Sequence, residues 1–172
     1  IGIKLINTIR RNGAPVDGYG LQAHDLMTTG SGPKTCLNID MLKRYLQEII
    51  DSTQIPLYIT EYDIESIDDK IQEQCYSEQI PLFMEEGNIA GITLWGYIYG
   101  KTWLSCEGQA EGCSGIIRDG VDRSAMTWLK QYFAEHKADT KNKWIPISEF
   151  PGEKPTETGN KDSTIENPPL AI

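Results

Sequence analysis

The chain has 172 residues, 39% hydrophobic and 24% charged, and a formal net charge of −9. That acidic balance repels nucleic acid and anionic membrane surfaces as partners but leaves a neutral polymer unaffected. No apolar run approaches the roughly 18 residues of a membrane span, and no charged-then-apolar leader opens the chain. It begins in what reads as a helix body, so a fragment or a processed product is expected.

Ile1 to Asn12 sets Leu5, Ile6 and Ile9 at helical spacing, then Arg10-Arg11 and Gly13 as a stop. Pro15-Val16-Asp17-Gly18 is a turn, and Tyr19 to His24 reads as the first strand. A Thr, Gly, Ser and Pro loop follows from Thr28 to Thr35. Asn38 can cap a helix through about Asp51 that buries Ile39, Leu42, Tyr45, Leu46, Ile49 and Ile50. Gln54-Ile55-Pro56 introduces Leu57 to Thr60, which reads as a strand of a parallel sheet covered on both faces. Glu61 stands where that strand stops, with Asp63 two positions on.

A third helix is expected from about Asp68 to Glu86, with Ile71, Cys75, Leu82 and Phe83 inward and Pro81 kinking or splitting it. Gly87-Asn88 ends it, and Ile89 to Gly96 is the third strand. A loop from Tyr97 to Asp122 leads to an amphipathic helix, Arg123 to Lys137, burying Ala125, Met126, Leu129 and Phe133. From Ala138 onward Lys, Thr, Glu, Asn and Pro dominate, so residues 138–172 read as a tail or linker beside a folded part, 1–137. Within that tail, Trp144-Ile145-Pro146-Ile147 is a patch able to dock back on the body.

Alternating helices and strands give a parallel sheet wrapped by helices, an α/β fold. No GxGxxG or phosphate-loop sequence accompanies it, so nucleotide binding has little support and no cofactor is implied. With no CxxC pair, and only His24 and His136 as histidines, no zinc or other metal site is expected. Cys106 and Cys113 flank Glu107 to Gly112, so a local disulfide and two free thiols are both compatible with the spacing. Cys75 reads as a small core residue of its helix.

Three strands end in polar or aromatic residues: Gln22 and His24, then Glu61 and Asp63, then Trp95. Adjacent parallel strands bring such ends together, and their C-terminal ends are where barrel enzymes keep their chemistry. A lone acid there is often solvated, and a lone histidine is more often structural. Here the histidine lies across from carboxylates, the arrangement that shifts pKa values at working sites. Trp95 and Trp103 bracket a glycine-containing loop; they suit a core, and equally the apolar faces of sugars.

These stretches resemble glycoside hydrolase family 10, the endo-β-1,4-xylanases. Gly18-Tyr19-Gly20-Leu21-Gln22-Ala23-His24 is similar to its sixth-strand motif, and Ile59-Thr60-Glu61-Tyr62-Asp63-Ile64 to its seventh. Thr93-Leu94-Trp95-Gly96, with Trp103, resembles its eighth. Arg123-Ser124-Ala125-Met126 resembles the start of its last helix, with Ser124 where proline is usual. The resemblance spans about Ile1 to Lys137. It implies the C-terminal portion of a (β/α)₈ TIM barrel, incomplete on its own, since such a barrel needs about 250 residues.

The resemblance further implies hydrolysis of internal xylosidic bonds in xylan or xylo-oligosaccharides by a retaining mechanism. Glu61 would be the nucleophile, His24 and Asp63 its hydrogen-bonded support, and Gln22, Trp95 and Trp103 the sugar-binding residues. The family's acid/base glutamate precedes the matched region. A partner is therefore expected: the N-terminal part of the barrel, as a second chain or an upstream segment. The family is usually exported, which implies a secreted or periplasmic chain and favours the Cys106–Cys113 bridge. Tyr97-Ile98-Tyr99-Gly100-Lys101 departs from the usual charged segment, which leaves subsite preferences open. Alternative expectations are a non-catalytic carbohydrate-binding remnant and a barrel hydrolase acting on another β-glycan.

Overall fold

A computed structural model of the chain describes residues 2–24, 26–28, 34–85, 88–103, 106 and 112–136. Residues 29–33 of the Thr28–Thr35 loop, residues 107–111 of the loop between the last two cysteines, Gly87, Lys137 and the whole 138–172 tail with its Trp144 patch lie outside the described residues.

The elements run α1 (Gly2–Arg11), β1 (Tyr19–Leu21), β2 (Met27–Thr28), β3 (Thr35–Cys36), α2 (Ile39–Thr53), β4 (Leu57–Tyr62), α3 (Asp69–Glu85), β5 (Ile89–Leu94), β6 (Ile117–Arg118), β7 (Val121–Asp122) and α4 (Ser124–Glu135). β1, β4 and β5 form a parallel sheet in the order β1-β4-β5. The short pairs β2-β3 and β6-β7 are antiparallel ribbons in the connecting segments. Parallel neighbours need a crossover, and α2 and α3 supply the two that flank β4.

α2 starts where Asn38 accepts a hydrogen bond from the Met41 N–H at 3.1 Å, satisfying one of the orphan donors of the first turn. It ends at Gln54, whose left-handed backbone (φ 54°) donates back to Ile50 O. The inward stripe is Leu42, Leu46, Ile50 and Thr53. Tyr45 is about half exposed, as are Leu5 in α1 and Phe133 in α4. Helical spacing places Tyr45 and Phe133 inside, and both are instead about half exposed.

α3 runs unbroken through Pro81. A mid-helix proline forfeits one hydrogen bond and costs about 3 kcal/mol, yet its neighbours Ile80, Leu82 and Phe83 are all buried. Three such side chains contribute about 1.5–3 kcal/mol each, enough to keep the helix whole. Cys75 is indeed buried in α3, but it is not a free core thiol: it is bonded to Cys36 of β3, with Cα atoms 5.2 Å apart. That bridge ties the β2-β3 ribbon to the helix that follows β4. Cys106 and Cys113 are bonded to each other, as the resemblance favoured.

The core lies between the sheet and the helices. Leu57 and Ile59 of β4 face it, together with Leu46, Ile50, Tyr76, Ile80, Phe83, Ile116 and Leu129. The opposite face of the sheet is only half-buried, contrary to a strand covered on both sides. Tyr58 lies there across two glycines: a Cβ at Gly18 or Gly91 would sit 3.0 or 3.8 Å from its ring. Thr60 is packed likewise against Gly20.

Candidate active site

Strand phase alone would send Glu61 into the core. Leu57 and Ile59 point at the helices, and residue 61 shares their parity, since successive residues alternate faces. The β4-β5 register breaks this: Ile59 pairs with Ile92 and Tyr62 with Leu94, so three steps on β4 oppose two on β5. One extra residue makes a bulge, and a one-residue slip exchanges the faces. Tyr62 takes the buried position, and Glu61 is released to the end of the sheet.

Tyr62 is then anchored firmly. Its ring meets Tyr76 and Phe83 edge-on, with centroids 5.0 and 5.8 Å away. Its hydroxyl donates to Gln79 Oε1 at 2.9 Å, and Gln79 Nε2 donates to Leu26 O at 2.9 Å. A buried, satisfied chain of this kind fixes β4 at the point where its two acids emerge.

The other strands deliver their ends to the same place. β1 stops at Leu21, three residues sooner than expected, and Ala23 adopts a left-handed backbone (φ 53°) that costs of order 1 kcal/mol. With that turn, Gln22 Nε2 donates to Glu61 Oε1 at 3.3 Å, and His24 Nε2 lies 2.9 Å from Glu61 Oε2. His24 Nδ1 lies 2.9 Å from Asp63 Oδ1. β5 ends at Leu94, and the Trp95 N–H donates to Tyr62 O at 2.9 Å, which seats Trp95 beside the acids. The chain turns at Gly96 (φ 80°), where a side chain would press on Thr102, and comes back to Trp103. Its Nε1 donates to Asp63 Oδ2 at 3.1 Å. The His24 ring meets Trp103 edge-on at 4.9 Å and Trp95 at 6.3 Å.

All six residues singled out in the sequence thus converge. Their burial separates them: Asp63 is 1% exposed, whereas the Glu61 side chain keeps 21% and can meet a ligand. Trp95 and Trp103 are 45% and 61% exposed. Burial pushes the Asp63 pKa up, and the bonds from His24 and Trp103 hold it back. Burial disfavours the charged imidazole of His24, but its bonds to Asp63 and Glu61 and their charges prevail and raise its pKa. Only the imidazolium donates from both nitrogens at once, which matches two carboxylate partners at 2.9 Å.

The arrangement therefore offers one accessible carboxylate, aimed by an amide and a histidine whose other nitrogen is held by a buried acid. Two exposed indole rings stand beside it. Glu65, Cys106 and Cys113 bring potential ligand atoms within 4.8 Å of one another, but the two sulfurs are bonded together and unavailable to a metal.

The family model for Glycosyl hydrolase family 10 matches residues 1–116. Endo-1,4-beta-xylanase B of Cellvibrio japonicus (strain Ueda107) is 36% identical over 127 residues, covering 73% of this chain and 19% of that protein. Among solved structures, native xylanase 10B from Thermotoga maritima superposes with a TM-score of 0.61 at 22% identity, over 78% of this chain and 42% of that one. TsXylA of Thermoanaerobacterium saccharolyticum, solved as a mutant in complex with xylotetraose, gives a TM-score of 0.56 at 18% identity, over 73% of this chain and 37% of that one. The chain spans under half the length of each of these relatives.

Proposed function

The chain belongs to glycosyl hydrolase family 10, and on that footing we propose that it is the nucleophile-bearing, C-terminal part of a xylanase barrel. The observation that carries the reading is Glu61: a partly exposed carboxylate held by Gln22 and His24 at the end of a parallel strand. Glu61 attacks the anomeric carbon of a xylosyl unit and forms a covalent glycosyl-enzyme, with retention of configuration after hydrolysis. His24, held by Asp63, orients Glu61 through its Nε2 contact with the carboxylate. Gln22, Trp95 and Trp103 contact the sugar.

A second carboxyl about 5–5.5 Å away must act as acid and then base. Asp63 is excluded from that part, because it is buried and both its oxygens already accept bonds. The acid/base therefore comes from the remainder of the barrel, and three features support such a remainder. Among the described residues the parallel sheet has three strands, with β1 and β5 at its edges. Its Tyr58 and Thr60 face is only partly buried. An apolar groove lined by Leu21, Leu26, Leu42, Tyr45, Ile49 and Phe83 lies beside β1. Open edges and uncovered apolar surface are what additional strands and helices would close. The two disulfides support a secreted or periplasmic location.

The test is Glu61→Gln in the complete enzyme, which keeps the shape and removes the charge. Nearly all xylan turnover should vanish while xylo-oligosaccharide binding persists. Near-normal hydrolysis by this variant would overturn the assignment.

A further inference from the structure

Trp103 presents a puzzle of support. It is 61% exposed, and among the described residues one hydrogen bond to Asp63 and one edge contact with His24 hold its ring. Its orientation therefore depends on the backbone of the loop that carries it. That loop is a double layer. Gly100 N–H donates to Gly112 O at 2.7 Å and Tyr99 N–H to Ile117 O at 2.8 Å, so the outgoing leg rests on the returning leg. The two legs touch so closely that a Cβ at Gly112 would lie 2.0 Å from Thr102 O, and one at Gly115 would lie 2.1 Å from Tyr99 N. Thr102, the residue before Trp103, is therefore seated directly on Gly112, and Tyr99 on Gly115.

The returning leg is gripped from below by Arg123, the residue preceding α4. Its side chain is 2% exposed. Nη1 donates to Cys113 O at 3.0 Å and to Gly115 O at 2.6 Å, and Nη2 donates to Ser66 O at 2.8 Å. Nε donates to Asp69 Oδ1 at 2.7 Å, and the guanidinium lies 5.4 Å from the Tyr99 ring. Ser66 stands three residues after Asp63, and Asp69 opens α3. One planar group thus fastens the loop after β5 to the loop after β4, which carry the two partners of the Trp103–Asp63 bond.

We propose that Arg123 is a positioning residue, which holds Trp103 in register against Asp63 and so sets the sugar-facing pose of the indole. The consequence for sugar binding rests on the proposed xylanase function; the positioning itself does not. Lysine keeps the charge but lacks the planar fork, and cannot reproduce four bonds with fixed directions.

The test uses the complete enzyme carrying this chain, with ¹⁵N-labelled tryptophan. The Trp103 indole N–H resonance is assigned by its loss in Trp103→Phe. Arg123→Lys is the main variant, and Asp69→Asn, which weakens the grip from a side chain 47% exposed, is the milder one. Both should move the Trp103 resonance, Arg123→Lys more, while that of Trp128 stays in place. In kinetics, Arg123→Lys and Trp103→Ala should each raise KM for a xylo-oligosaccharide by about 3–10-fold, the size of one lost stacking contact. Because both act on one indole, the double variant should match Trp103→Ala alone rather than multiply the two effects. An unmoved Trp103 resonance in both variants, or multiplicative KM effects, overturns the proposal. A moved resonance in a protein whose parent neither binds nor cleaves xylan upholds the positioning and rejects the xylanase reading instead.

Discussion

Replacing His24 with alanine should cost stability in a pH-dependent way, because it strands a buried carboxylate. Asp63 is 1% exposed, and its oxygens accept from His24 Nδ1 at 2.9 Å and Trp103 Nε1 at 3.1 Å. Without the imidazole the opposite charge is gone and Oδ1 loses its donor, a change that costs about 3–5 kcal/mol while the carboxylate stays charged. The variant can relieve this by protonating Asp63, whose pKa burial already raises and whose bond and charge interaction with His24 hold it down. In the parent, His24 has a pKa raised above its ordinary 6.5 despite the opposing effect of burial. Its contribution is therefore full below about pH 6.5 and is lost as pH rises through the folded value. The deficit of His24→Ala should peak near pH 6.5 and shrink by about pH 4, as the variant's Asp63, raised by burial and freed of the imidazole that held it down, takes up a proton on the way. Denaturant unfolding of the complete protein at those two pH values measures it. Adding Asp63→Asn to His24→Ala removes the buried charge and should bring the loss at pH 6.5 down to about 1–2 kcal/mol. A deficit equal at both pH values, and not relieved by Asp63→Asn, would refute the buried-charge argument.

Further outcomes follow from the same structure. Replacing Cys36 and Cys75 together opens a loop whose ends are 39 residues apart, so the complete protein should lose about 4 kcal/mol on chain entropy, read as a lower denaturant midpoint; a loss below about 1 kcal/mol would count against a structural bridge. Trp95→Ala should weaken xylo-oligosaccharide binding by about 3–10-fold with little change in thermal stability, because its ring is 45% exposed; calorimetric titration and a melting curve separate the two. The isolated chain should neither unfold cooperatively nor cleave xylan, since leaving about 400 Å² of apolar surface uncovered costs about 10 kcal/mol, the scale of a whole domain's stability. A sharp transition with activity from the isolated chain would show that it is an enzyme by itself.

What the sequence made legible was local. Asn38 capping α2, the order of the helices and the three parallel strands, and five polar and aromatic residues at strand ends, with Trp103 in the loop beyond, could be read from neighbours in the chain. What stayed hidden depends on pairs far apart. The bulge that turns Glu61 out of the core is a property of the β4-β5 register, and a strand's own alternation points the other way. Cys36 and Cys75 are 39 residues apart, with nothing local to match them. Arg123 was visible only as the start of the last helix, although its four side-chain partners range from Ser66 to Gly115. An arginine just before an amphipathic helix, instead of a usual capping residue, was the available signal. Pro81 does not split α3, because three buried neighbours offset the backbone bond that it forfeits. Tyr45 and Phe133 were placed inside by helical spacing, but spacing does not say whether anything stands opposite.

The defining property of the proposed site is the covalent bond that Glu61 forms to the sugar. It is tested by incubating the complete enzyme with an activated xylobioside carrying fluorine at C2, which slows breakdown of a glycosyl-enzyme, followed by proteolysis and mass spectrometry. One adduct is expected on the peptide that contains Leu57–Ile64, located at Glu61 by fragmentation and absent in Glu61→Gln. An adduct on another residue, or turnover of xylan with inversion and no adduct, would contradict it.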